Sequence, residues 1–206
     1  MDKYQETFRT WNKVAKKYEE QFMHLDVYNE SYDIFCNSIS VRNAAILDIG
    51  CGPGNISKHL ISQKPNFRIN GIDIAPNMVS LASENNPKAK FKVMDIRTID
   101  QLESTYDGII CGFCIPYISE ADVDKLFFDC YNLLNEGGIL YISFVEGNTS
   151  QSGYIIGSAG DRSYFYYYTL TQLKSKANNN CLKEIKTFKV QFEKKEIHTI
   201  LVLQKQ

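Results

Sequence analysis

The chain has 206 residues, 44% of them hydrophobic, with 23 Lys plus Arg against 24 Asp plus Glu for a formal net charge of -1. That length holds one domain with a sizeable core or two small ones, and the balanced charge argues against duplex nucleic acid as a partner. The charged N-terminus MDKYQETFRTWNKVAKKYEE has no apolar h-region, and the longest apolar runs are too short for a bilayer, so a cytoplasmic protein without a membrane partner is expected.

In chain order, Tyr4, Phe8, Trp11, Ala15, Tyr18 and Phe22 recur at three- and four-residue steps and predict an amphipathic helix. A second helix is predicted around Tyr28 to Ile39. From residue 45 strands and helices alternate. AAILDIG is strand and Pro53 to Ser62 helix; FRINGID is strand and PNMVSLASEN helix, with Pro76 in its first turn; AKFKVMD is strand, followed by a turn near Ile99. YDGIICG is strand, and the next helix opens at Ser119 and stops at Gly137-Gly138. GILYISFV is the fifth strand, and a capping box at Thr169 and Gln172 opens a helix through about Ala177.

EIKTFKVQF and EIHTILVLQ are joined by a few residues around Lys194-Lys195, too few for a parallel crossover, so they form an antiparallel hairpin. The expected fold is α/β: a Rossmann-like, doubly wound, seven-stranded sheet, mostly parallel with a C-terminal antiparallel strand and helices on both faces. A single domain 1–206 is expected, with a helical cap (1–40), a ligand-binding core (41–146), an insertion (147–168) and a closing helix and hairpin (169–206).

The six cysteines, at 36, 51, 111, 114, 130 and 181, fall mostly in apolar runs, where a thiol packs as a small hydrophobe. Cys111-x-x-Cys114 has no second pair at ligand spacing and no nearby histidine, so no metal site is expected.

The stretch ILDIGCGPGN ends a strand in a bare turn, which exposes backbone N–H groups to a ligand. Its glycines, Gly50, Gly52 and Gly54, miss the dinucleotide spacing G-x-G-x-x-G by one position, since Asn55 stands where the third glycine belongs. Asp73, at the end of the next strand, suits the two hydroxyls of a ribose; the competing reading is a turn carboxylate capping the following helix. Asp95 and the N–H of Ile96 end the third strand and suit an adenine edge, with Ile74 and Met78 as apolar walls.

With ILDIGCGPGN, GIDIAPNM, KVMDI and YDGIICGFCIPYI in this order, nearly the whole chain resembles the class I S-adenosylmethionine-dependent methyltransferases. The resemblance implies S-adenosylmethionine as cofactor, S-adenosylhomocysteine as its product, and methyl transfer to an O, N or C nucleophile by in-line displacement. It implies that Gly50, Cys51 and Gly52 pass the methionyl and ribose parts, and that Asp48 orients that loop or the ammonium group. Asp73 would hold the ribose, Asp95 and Ile96 the adenine, and Cys111 and Gly112 would meet the methionyl amine with a carbonyl. Tyr18 would reach the methionyl end.

Tyr117 stands where many relatives place a histidine near the methyl, and is the candidate catalytic residue; a phenol is a reluctant base at neutral pH. Trp11, Tyr117, Tyr164 and Tyr166 are the candidate substrate contacts, the last two as alternate rings of an extended aromatic run facing the cleft. Arg162 is expected in solvent, His59 and His198 as structural or exposed, and His24 near the substrate entrance. There is no D/N-P-P-Y/F run, no Pro-Cys dipeptide and no acidic cluster for magnesium, which favours a small-molecule acceptor and a monomer or homodimer. Alternatives are a methyltransferase acting on tRNA or protein, a non-catalytic cofactor binder, and an NAD-dependent dehydrogenase.

Overall fold

The computed structural model describes residues 2–157, 160–193 and 196–206. The predicted hairpin turn at Lys194-Lys195 lies outside the described residues. Helices α1 (Lys3–Phe22) and α2 (Asn29–Ser38) precede an alternating series: β1 (Ala45–Ile49), α3 (Asn55–Gln63), β2 (Arg68–Asp73), α4 (Pro76–Asn85), β3 (Lys90–Val93), β4 (Tyr106–Gly112), α5 (Glu120–Leu133) and β5 (Leu134–Val145). A small hairpin, β6 (Gly153–Ile156) and β7 (Arg162–Phe165), is followed by α6 (Leu170–Asn179), β8 (Leu182–Glu193) and β9 (Glu196–Lys205).

Seven strands form one sheet in the order β3-β2-β1-β4-β5-β9-β8. The first five run parallel, and β9 is antiparallel to both its neighbours. The order reverses direction outward from β1, so the C-terminal ends of β1, β2 and β4 open on one edge, where ligands of such sheets sit.

The period-two alternation of the strands sends side chains into two separate cores. On one face Leu47, Ile49, Ile109, Leu140 and Ile142 pack against Val123, Leu126, Phe127 and Cys130 of α5 and Leu173 of α6. On the other, Ile46, Ile69, Ile110 and Tyr141 pack against Phe35 and Cys36 of α2 and Leu60 of α3. Each fully buried Leu, Ile or Phe contributes about 1.5–3 kcal/mol, so the sheet is a rigid platform for the residues at its edge.

Two local details depart from the sequence reading. Helix α5 ends at Leu133, before the glycine pair, because Leu134 already has extended backbone (φ -77, ψ 138). Gly137, at φ +70, instead turns an irregular stretch of β5 between its pairings with Tyr106 and Gly108. Helix α3 starts at Asn55 rather than at Pro53, with Gly54 as its left-handed N-cap.

Helix α1 lies across the ligand edge. Its apolar side meets α4 through Ala15, Met78, Phe8, Trp11 and Tyr18, and Asn12 and Asn77 exchange two hydrogen bonds of 2.8 and 2.9 Å. On its other flank the β6–β7 hairpin is tied down: Thr7 Oγ1 accepts from Tyr164 N at 2.9 Å, Lys13 pairs with Asp161 at 2.8 Å, and Arg162 pairs with Glu6.

Candidate active site

Gly50 begins the turn after β1 in the left-handed region, at φ +63, and a Cβ there would meet Cys114 Sγ at 2.0 Å. Any side chain would therefore collide with the segment after β4, which is why the turn is bare. Gly54 is bare for a different reason: its Cβ would lie 2.3 Å from Asn86 Nδ2 and 3.1 Å from Ala82 Cα, where α3 and α4 meet. It serves helix packing, while Gly50 and Gly52 face the ligand edge.

Two adjoining cavities open at that edge. The first, of about 170 Å³, is walled by Asp73, Ile74, Met78, Asp95, Ile96 and Arg97, among others. The second, of about 230 Å³, includes Cys51, Gly52, Tyr28, Phe165, Phe192 and His198. Trp11, Tyr18, Gly50, Gly112, Phe113 and Tyr117 line both, so the two meet at the glycine turn.

Asp73 makes the turn contacts of the capping reading and also lines the first cavity. Its Oδ2 accepts from Gly52 N at 3.0 Å and its Oδ1 from Ala75 N at 2.8 Å, which fixes the carboxylate between the turn and α4 while it lines the first cavity. A carboxylate has about four lone-pair sites, so two remain for a diol. Burial raises its pKa above the ordinary value, against the pull of the backbone donors.

Asp95 caps the short turn after β3 by accepting from Arg97 N at 2.9 Å, and the Arg97 guanidinium grips both its oxygens at 2.5 to 3.0 Å. Arg97 in turn stacks over the Tyr4 ring at 4.1 Å. The Tyr4 hydroxyl donates to Asp122 and accepts from Ser119 N, joining α1 to the start of α5. The wall of the first cavity is thus a charged network that sequence spacing could not show, because Tyr4, Arg97 and Asp122 are far apart in the chain.

Asp48 lies outside both cavity walls. It is fully buried, its Oδ2 accepts from Ser57 Oγ at 2.6 Å, and its Oδ1 has no hydrogen-bond partner. Burial pushes its pKa up to about 7. A buried polar atom without a partner costs free energy, and Trp11 Nε1, on α1 between the two cavities, is the same kind of atom.

Cys111 is fully buried in the core beneath the sheet edge; the thiol at the cavity is Cys114, whose Sγ donates to Ile49 O at 3.2 Å. Tyr164 and Tyr166, expected to face the cleft, lie outside the walls of both cavities, their rings tilted against each other at 4.7 Å with Lys3 over both. The run does alternate, but the ring that enters the second cavity is Phe165, edge-on to Tyr117 at 5.6 Å. Arg162 is exposed, as expected, and there pairs with Glu6 and covers Tyr154.

His198 lines the second cavity at 5% exposure, while His59 pairs with Asp33 and His24 is exposed outside both walls. Phe113 is also new: it holds a left-handed φ of +55, fixed by its N–H donating to Ser143 O and Oγ. For a non-glycine residue this costs about 1–2 kcal/mol, and such strain gathers at working sites.

Residues 46–138 match the family model for the methyltransferase domain. The chain is 30% identical over 137 residues to the putative methyltransferase 235L of Invertebrate iridescent virus 6, which covers 66% of this chain and 49% of that protein. It is 30% identical over 144 residues to malonyl-acyl carrier protein O-methyltransferase 1 of Ilyobacter polytropus, covering 68% and 52%. The chain thus spans about half the length of these curated relatives. A solved S-adenosylmethionine-dependent methyltransferase from Clostridium acetobutylicum superposes with a TM-score of 0.75 at 16% identity, covering 95% of this chain and 99% of that one.

Residues 46–138 are thus similar to the methyltransferase domain, within a fold shared with a solved S-adenosylmethionine-dependent methyltransferase. Among the described residues, no helix is long and apolar enough to cross a membrane, and no group of three or more His, Cys, Asp or Glu could hold a metal ion.

Proposed function

We propose that this chain methylates a small-molecule acceptor with S-adenosylmethionine. When bound, the cofactor supplies its methyl as an electrophile on a positive sulfonium, open to a lone pair arriving opposite sulfur.

The observation that carries the reading is that the polar-ended first cavity and the aromatic second cavity meet at Gly50. Asp73, already fixed by two backbone N–H groups, would hold the ribose hydroxyls without reorganising. Ile74 and Met78 would wall the adenine, with Asp95 and Ile96 at its edge. Gly50, Gly52 and Gly112 would let the methionyl part pass close to backbone, and Tyr18 would cover it. The partnerless Trp11 Nε1 supports a polar guest at this junction. Tyr117, which lines both cavities, stands where an acceptor would meet the methyl.

The same reading makes 1–206 one methyltransferase domain, with α1 as the cap that excludes water and the β6–β7 hairpin as part of the acceptor wall. The six free cysteines suit the reducing cytoplasm. The name of the Ilyobacter relative specifies a malonyl acceptor; the acceptor here is argued below from the second cavity.

Calorimetric titration with S-adenosylhomocysteine and with NAD tests the cofactor half: the first should bind and the second should not. Incubation of the protein and a metabolite extract with methyl-labelled cofactor tests the rest. Label in the small-molecule fraction is expected, and label confined to protein or RNA would overturn the acceptor class.

A further inference from the structure

Strand β9 is the one reversed strand of the sheet, so its first residues, not its last, lie at the ligand edge. His198 therefore pairs in register with Val145, at the end of β5, and faces the second cavity. Nothing in the spacing of the earlier motifs points to it. It sits 5% exposed beside the 6% exposed Tyr28, which precedes α2, and the Tyr28 hydroxyl and His198 Nδ1 are 2.5 Å apart.

The imidazole is held from two further directions. Phe192 stacks on it, with centroids 4.8 Å apart and planes at 17°, and the ring of the strained Phe113 meets it at 4.8 Å and 62°. A hydrogen-bonded histidine whose rotation is blocked by two rings and one hydroxyl, on the wall of a cavity, is built like a proton-handling group.

From this geometry, and resting on the methyltransferase reading above, we infer that His198, oriented by Tyr28, takes the proton from the acceptor, and that the acceptor is a flat, uncharged ring bearing an acidic O–H or N–H. The ring chemistry follows from the wall, where Phe22, Tyr28, Phe113, Phe165 and Phe192 present aromatic surfaces. Among the described residues lining this cavity there is no Asp, Glu, Lys or Arg, so a carboxylate, which brings no proton to charge His198, meets no fixed counter-charge there. The malonyl group in the name of the Ilyobacter relative would not be matched by it.

The proposed step uses the tautomer in which Nδ1–H is donated to the Tyr28 hydroxyl and Nε2 receives the acceptor's proton. The transfer balances: the bond from the acceptor atom to the methyl forms as the bond from sulfur to the methyl breaks, the sulfonium charge is cancelled, and one proton moves to Nε2. Water carries that proton away when product leaves.

The test uses the full chain loaded with S-adenosylhomocysteine, with 4-nitrophenol as probe, because its phenolate is coloured and its phenol is not. At fixed pH the coloured fraction should be larger when the probe is bound than when it is free. Of the three histidines, only the imidazole of His198 should shift in an NMR spectrum on adding the probe. His198→Phe should return the coloured fraction to that of free probe and weaken probe binding by about tenfold or more, with S-adenosylhomocysteine affinity held within about threefold.

Tyr28→Phe, which removes one hydroxyl and no ring, should lose part of the coloured fraction, and it carries the test if His198→Phe does not fold. 4-Nitrobenzoate, of similar shape with a fixed charge, should bind at least about tenfold more weakly than the phenol. The inference is overturned if the phenol does not bind, if both variants leave its colour unchanged, or if the benzoate binds as well. Failure of S-adenosylhomocysteine itself to bind would instead overturn the methyltransferase reading, and this proposal with it.

Discussion

Replacing Asp73 by alanine isolates the contact on which cofactor recognition turns. In the structure this carboxylate spends one lone pair of each oxygen on Gly52 N and Ala75 N, at 3.0 and 2.8 Å, and faces the first cavity with the rest. Two ribose hydroxyls donating to it would make two hydrogen bonds to a charged group, each contributing about 1.5–3 kcal/mol. The variant should therefore lose about 3–6 kcal/mol of selectivity for a ribose diol, a factor of about 10² to 10⁴.

Because the alanine also frees two backbone N–H groups, affinity alone would mix loop damage with lost recognition. Calorimetry with adenosine and with 2′,3′-dideoxyadenosine, on wild type and variant, separates them. The wild type should favour adenosine strongly and Asp73→Ala should bind both equally weakly. Equal discrimination in the two proteins would refute the assignment and leave Asp73 as a turn cap only.

Asp48 makes a stability prediction. Burial raises its pKa from 3.8 to about 7, so the fold favours its protonated form: that stabilisation is complete below the unfolded value and is lost as pH rises through about 7. The stability of the ligand-free wild type, read from urea unfolding, should fall between pH 5 and pH 8 by up to about 3 kcal/mol, whereas Asp48→Asn should flatten the profile; equal slopes would sink the argument. Gly50→Ala should destabilise by about 1–3 kcal/mol and abolish S-adenosylhomocysteine binding, since its Cβ meets Cys114 Sγ. Adding Cys114→Ala should recover part of that stability in a double-mutant cycle, and strict additivity would refute the clash. Phe165→Ala should weaken 4-nitrophenol binding by about tenfold, and Tyr164→Ala by less than about twofold, as their sides of the hairpin require; the reverse order would put the aromatic wall elsewhere.

Local signals carry the fold well because they are the forces that build it. Alternation of strand and helix, and the short gap before the last strand, specify a parallel sheet with one reversed strand. The ligand edge is legible for the same reason: Gly50, Asp73 and Asp95 each follow the end of a strand, and parallel strands bring those ends together.

What is not legible depends on facing and register. Alternation says that Tyr164 and Tyr166 share a side but not which side meets the cavity, and Phe165 took it because Tyr164 N bonds to Thr7 on α1. His198 reads as a lone histidine on a strand until the pairing of β9 with β5 carries it to Val145. Arg97 is tied to α1 by Tyr4, 93 positions earlier in the chain, a contact that only the packing of α1 over the sheet edge creates.

A crystal structure of the protein with S-adenosylhomocysteine tests the central claim most directly. The account predicts ribose hydroxyls on Asp73, adenine between Ile74 and Met78, and sulfur at the junction beside Gly50, pointing toward the second cavity. Density that places the ligand elsewhere, or a dinucleotide whose pyrophosphate is gripped by the Gly50 turn, would contradict it.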